Sequence, residues 1–236
     1  INDLYVPLYN FWVQLRDRGE ELSERVREEK QNTLDEGDPD KITASAKELF
    51  NKYKEEIDTY DDFEKAVAFF IMNKCSFSGL TENSTFSQTA SNSNFSLVGA
   101  DKLKEFSKLI QHWKITNIDY SEVMNADGTD STFVFLDPPY DIKDFLYGKN
   151  REMHKSFDHN LFAENVYKCK HNFMITYNVN HRLLQLYAAY ELNFWNLRYS
   201  MVHRGDKGTE ENVKQELLIT NYNINPVTPI EELLTT

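Results

Sequence analysis

The sequence predicts an α/β fold: an open, mainly parallel sheet that ends in an antiparallel hairpin and carries an additional helical region. Three observations lead there. Phe133-Val134-Phe135-Leu136 and Phe173-Met174-Ile175-Thr176-Tyr177 are short apolar runs, the pattern of strands buried on both faces of a parallel sheet. Beyond residue 101, helical periodicities alternate with these runs. Before residue 75 the spacing is helical throughout.

The elements follow in order. Leu4, Leu8, Phe11, Trp12, Leu15, Leu22 and Val26 recur at three- and four-residue spacing, so 4–30 reads as a helix. Gly37-Asp38-Pro39-Asp40 is a loop, and 43–57 a second helix with a heavily charged face. A cap between Thr59 and Asp62 opens a third helix through Phe63, Ala66, Val67, Phe69, Phe70 and Met72. Residues 76–96 are hydroxyl- and amide-rich, with one charge and with Phe at 77, 86 and 95; they read as a loop partly anchored by those rings. A helix at 101–112 leads to a strand at 115–119. After the strand 133–136, a helix at 158–169 opens on Asp158 as its N-cap. The strand 173–177 and a helix at 180–189 follow. Strands at 192–202 and 214–222, joined by the polar loop His203–Asn212, form the hairpin. There is no internal repeat, and the tail from Pro226 reads as extended with a closing helical turn.

Composition narrows the function. The chain has 236 residues, is 40% apolar and contains 16 Phe, 13 Tyr and 3 Trp, enough for a sizeable core. No run of 18 apolar residues and no secretory leader are present, and Cys75 and Cys169 are isolated, which together predict a reducing, cytoplasmic setting. Asn83-Ser84-Thr85 and Asn94-Phe95-Ser96 are therefore chance matches to a glycosylation pattern. His154 and His159 lack a third ligand and read as surface or hydrogen-bonded histidines, so no metal is expected. The net charge of −12 argues against a simple nucleic-acid coat. It is uneven, however: residues 1–70 hold 18 acidic and 10 basic side chains, whereas 71–214 hold 17 and 16. A near-neutral half can meet a polyanion through local basic patches.

Ligands of open α/β sheets sit beyond the carboxyl ends of strands. Three acidic positions fall at such ends: Asp3, Asp119 and Asp137. Asp3 alone is a weak signal, and it reads nearly as well as a helix N-cap before Leu4. Asp137 opens Asp137-Pro138-Pro139-Tyr140. Two prolines stiffen this turn, and the first pushes Asp137 to an extended backbone. The corner then presents two acceptors, the Asp137 carboxylate and the Pro138 carbonyl, beside the flat ring of Tyr140. That set suits a planar heterocycle with an exocyclic amine. Hydrogen bonds from both N–H groups localise the nitrogen lone pair, and the acceptors act most strongly when positive charge builds on that nitrogen.

Asp-Pro-Pro-Tyr after an apolar strand resembles the signature of amino-methyltransferases that use S-adenosylmethionine, and the chain is similar to the Dam-type (D12 class) adenine-specific DNA methyltransferases. Ile1-Asn2-Asp3 resembles the family's second-strand motif, whose Asp holds the cofactor ribose. Asn117-Ile118-Asp119-Tyr120 resembles the segment on the cofactor adenine. Phe133–Tyr140 resembles the catalytic strand and turn, Phe173–Asn178 the next strand beside the target base, and Leu217–Tyr222 the late strand. Ser76-Phe77-Ser78-Gly79-Leu80 stands where the family has an aromatic-Asn-Gly-Leu segment opening its DNA-recognition hairpin, with Ser78 in place of Asn.

The resemblance implies a Rossmann-like S-adenosylmethionine-dependent methyltransferase sheet with an inserted helical DNA-recognition region. The catalytic domain would be 1–10 and 101–225, and the target-recognition region 11–100. Asp137, Pro138, Pro139 and Tyr140 are the expected catalytic group; Asp3, Asp119, Tyr120 and Asp137 the cofactor contacts; Ser76, Ser78, Asn83, Lys149, Arg151 and Arg204 the DNA contacts, with Lys155 and Lys207 as further phosphate candidates. The expected substrate is an adenine flipped out of double-stranded DNA. Bacterial, phage and viral-factory settings and a cognate restriction endonuclease fit the family. Methylation of cytosine N4 or RNA adenine, and a catalytically silent DNA-binding remnant, remain alternatives. The family's Gly-rich first-strand segment is not found here and the first residue is Ile, so the chain reads as N-terminally incomplete and is expected to bind cofactor poorly by itself.

Overall fold

The computed structural model describes residues 1–76, 85–141, 157–198 and 213–224. They fall into two compact units, one ending at Asp119 and the other beginning at Tyr120.

The first unit is helical: α1 (Val6–Leu34), α2 (Pro39–Glu56), a short 3-10 turn (Ile57–Thr59), α3 (Asp62–Cys75), α4 (Gln88–Asn94) and α5 (Leu97–Ile110). Local chemistry sets the starts. Asp38 caps α2 through the Asp40 and Lys41 N–H groups, with Pro39 in the first turn. Asp61 caps α3 through Glu64 N–H, Ser87 caps α4 and Ser96 caps α5. Helix α1 buries Phe11, Leu15, Gly19, Leu22 and Val26 along one stripe and packs on α3 and α5. Helix α3 is buried almost all round from Ala66 to Met72. Against this core, Tyr53 donates to Glu29, and Arg25 pairs with both Glu29 and Glu64.

Two expectations change here. The Ser/Asn-rich segment contains α4, and its rings are anchored: Phe95 is buried and Phe86 packs edge-on to Phe50. Phe77 lies outside the described residues. The helix expected at 101–112 is α5, and it packs on α1. The strand expected at 115–119 is reduced to one parallel bridge, Asn2 to Thr116. Asn2 Nδ2 donates to the Ile118 carbonyl, and Asn2 Oδ1 accepts from Ile118 N–H and the Thr116 hydroxyl. Side-chain bonds replace the rest of the ladder.

The second unit holds α6 (Tyr120–Met124), β1 (Phe133–Leu136), α7 (His159–Lys168), β2 (Asn172–Asn178), α8 (His181–Leu186), β3 (Glu191–Arg198) and β4 (Val213–Thr220). Asp158 caps α7. The described strands form one sheet in the order β1-β2-β4-β3. Strands β1 and β2 run parallel; β4 runs antiparallel to both β2 and β3. The described sheet is thus mixed rather than mainly parallel, because the last strand inserts between the two before it.

Burial also departs from expectation. In β1, Phe133 and Phe135 are exposed and only Leu136 is buried, as befits an edge of the described sheet. Strand β2 alternates, burying Phe173, Ile175 and Tyr177. The strand buried on both faces is β4, with Glu216, Leu217, Ile219 and Thr220 all covered. Among the described residues no helix is long and apolar enough to cross a membrane.

Gly19 lies where α1 meets α5, and an added Cβ there would overlap the Ser107 side chain. Gly19→Val should therefore lower the urea or thermal unfolding midpoint by about 1–3 kcal/mol of stability. An unchanged midpoint would show that the two helices yield at this point.

Candidate active site

Strand β1 delivers Asp137-Pro138-Pro139-Tyr140 at its carboxyl end, and side chains on β2 and β4 pin both ends of that corner. Thr176 on β2 donates its hydroxyl to Asp137 Oδ1 at 2.7 Å. Tyr140 donates to Glu216 Oε2 on β4 at 2.8 Å. The strand register explains the spacing. Thr176 lies one residue past Ile175, the partner of Leu136, while Glu216 lies opposite Asn178, two residues further along β2. Asp137 is exposed, Pro138 is buried, and Pro139 and Tyr140 are half-buried. Asp137 Oδ2 has no partner among the described residues, so one carboxylate oxygen remains for a ligand.

Asp141 anchors the next step of the chain. Its carbonyl accepts from Asn178 Nδ2 at 3.1 Å and Asn180 Nδ2 at 3.3 Å. Its carboxylate lies 3.6 Å from Arg182 and 3.9 Å from His159. His159, buried at the start of α7, bonds the Tyr177 hydroxyl at 2.9 Å. Burial raises the Tyr177 and Tyr187 hydroxyls above the ordinary phenol range, so both stay protonated. The Tyr140 ring is tilted 48° to Tyr177 at 6.3 Å between centroids.

The remaining expected residues are distributed as follows. In the first unit, Asp3 N–H bonds the Thr116 carbonyl, and Asp3 Oδ1 accepts from Tyr5 N–H at 2.8 Å. Burial raises the Asp3 carboxyl above its usual range, opposed in part by that N–H. A half-buried carboxylate short of donors suits a ligand bearing two hydroxyls, as the ribose of S-adenosylmethionine does. Asp119 is exposed at the end of that unit. Tyr120 opens the second, its ring packed on Phe162 and Phe157 at 5.0 and 5.7 Å. Within the second unit, then, Asp137 and Tyr140 come together; Asp3 and Asp119 belong to the other unit.

Among the expected DNA contacts, Ser76 is buried and donates to the Asn73 carbonyl. Ser78, Asn83, Lys149, Arg151 and Arg204 lie outside the described residues, as do Lys155, Lys207 and His154.

Sequence reasoning missed Thr176 and Glu216. Thr176 passed as one more strand-forming residue in an apolar run. Glu216 did leave a signal, a lone carboxylate directly against Leu217-Leu218-Ile219, but periodicity alone assigns such a residue to a solvated face.

The Asp3 carboxyl also gives a linkage prediction. Its folded pKa is raised, so its charge costs stability as pH climbs above the ordinary carboxylate range. Asp3→Asn should leave the chain slightly more stable at pH 7, with the gain fading toward pH ~4. Melting curves of the two proteins measured from pH ~4 to ~7 check this, and equal stability at pH ~7 would contradict it.

No curated protein matches the sequence. A family model described as D12 class N6 adenine-specific DNA methyltransferase matches residues 1–201, a span that contains Asp3, Asp119 and the whole Asp-Pro-Pro-Tyr corner. The chain belongs to the D12 class of N6 adenine-specific DNA methyltransferases, enzymes that use S-adenosylmethionine as methyl donor.

Proposed function

We propose that the corner Asp137–Tyr140 is where the methyl group passes to N6 of an adenine extruded from double-stranded DNA. The observation that carries this reading is the double tether: a carboxylate and an aromatic ring on one proline-locked turn, each fixed by a separate strand. Preorganised acceptors need no rearrangement as charge develops, which is the condition for electrostatic catalysis.

The chemistry assigns one role to each group. Asp137 and the Pro138 carbonyl accept the two N6–H bonds, and Tyr140 stacks on the purine. Held this way, N6 presents a localised lone pair that bonds the incoming methyl carbon. S-adenosylmethionine supplies that electrophilic methyl, its sulfur keeping the electron pair of the broken bond. The surplus N6 proton leaves along the hydrogen bond to Asp137, whose exposed carboxylate passes it to water. No covalent enzyme intermediate is required, consistent with the burial of Cys75, which pushes its thiol up to about 11. Asp3 takes the cofactor ribose, and Asp119 and Tyr120 its adenine.

The fold reading is a Rossmann-like sheet ending in an antiparallel hairpin. The parallel β1–β2 pair with α7 between them in sequence supports it, as does the catalytic turn at a strand carboxyl end. Ser78 and Asn83 serve the DNA groove, and Lys149, Arg151 and Arg204 hold phosphates. A bacterial or phage setting and a cognate restriction endonuclease accord with the family.

Asp137→Ala in the full-length protein should abolish N6-methyladenine formation, a drop of about 10³-fold or more in rate, while folding and DNA binding persist. Nucleoside mass analysis is the readout, and an Asp137→Ala enzyme that still methylates would refute the mechanism.

A further inference from the structure

Glu216 is a carboxylate set inside the sheet beside the catalytic corner. It is 3% exposed in the middle of β4, between Gln215 and the apolar run Leu217-Leu218-Ile219. Its register partners are Asn178 on β2 and Trp195 on β3. A buried carboxylate there carries a desolvation cost that an apolar side chain of similar volume would avoid. Its Oε2 accepts from Tyr140, the aromatic member of the catalytic corner.

Tyr140 raises the complementary question. Stacking on a purine needs a ring, and Phe supplies one equally well. The hydroxyl therefore has another use, and its acceptor is Glu216. A phenol donating to a carboxylate gains electron density in its ring, which makes the ring face more negative. A negative face attracts cationic charge held over it. During transfer, positive charge is shared between the methyl donor and the amine nitrogen of the stacked base.

We propose that Glu216 is a positioning residue for methyl transfer: it locks the Tyr140 ring in its stacking orientation and enriches that ring's face toward the cationic transition state. This rests on the reading that Tyr140 stacks on the target adenine. In this role Glu216 acts on the reaction through Tyr140. Its carboxylate charge, rather than mere hydrogen-bonding capacity, is what the role requires.

The test uses the full-length protein in single-turnover methylation with radiolabelled S-adenosylmethionine. Wild type, Tyr140→Phe, Glu216→Gln, the double variant and Asp137→Ala are compared, with DNA affinity measured in parallel. Glu216→Gln should slow transfer by about tenfold, with DNA affinity within about twofold, because the amide keeps an acceptor but loses the charge. In the Tyr140→Phe background the same change should have no further effect. Full multiplicativity of the two changes, a wild-type rate for Glu216→Gln, or a loss confined to DNA affinity would overturn the proposal.

Should Glu216→Gln fail to fold, mono-, di- and trifluorotyrosine placed at position 140 decides instead, since it leaves Glu216 intact. The rate should fall stepwise as fluorine withdraws ring density, whereas a flat series overturns the proposal. Asp137→Ala separates the two levels of the account. Retained methylation there defeats the underlying site assignment, while loss there with an uncoupled Glu216 defeats this inference alone.

Discussion

The site depends on one constraint: the Asp-Pro-Pro-Tyr corner is held from two strands at once. Prolines stiffen the turn but cannot aim it. Thr176 on β2 aims the carboxylate, and Glu216 on β4 aims the ring. Because β4 inserts antiparallel between β2 and β3, it can supply a side chain to the carboxyl end of β1 without being β1's neighbour. The mixed sheet is thereby tied to the geometry of the corner: a wholly parallel order would require another source for the second tether.

The polar groups around the corner divide the labour. Asp141, immediately after Tyr140, is gripped by Asn178, Asn180 and Arg182, with His159 nearby. These bonds fix where the chain leaves the turn, while Asp137 keeps one oxygen for a ligand. The network is not complete: the buried Asn178 Oδ1 and Tyr187 hydroxyl have no partner among the described residues. The arrangement suits a reaction in which acceptors must already be in place when charge appears on nitrogen.

Much of this was legible in the residues themselves. The helical stripe of α1, the caps at Asp61 and Asp158, and the two strands at 133–136 and 172–178 follow from periodicity and side-chain capping, which are local. The corner was legible because its rigidity is written in consecutive residues. What escaped was set by pairing at a distance. Phe133 and Phe135 look like core residues, yet sheet order leaves them exposed. The hydroxyl-rich segment looks like a loop, yet Ser87 caps a helix within it and Phe95 is buried in a core made by other helices. Glu216 looks solvated until β4 is seen between two strands, and Ser76 looks available until its burial is known. In each case the deciding neighbour lies elsewhere in the chain.

The central claim, that this corner receives the extruded base, is open to a direct measurement. A duplex carrying 5-iodouracil in place of the target adenine, irradiated in complex with the protein, links covalently to the aromatic side chain lying against the flipped base. Peptide mapping should place the link on Tyr140. A link formed efficiently at a residue remote from positions 137–141, with Tyr140 unmodified, would contradict the account.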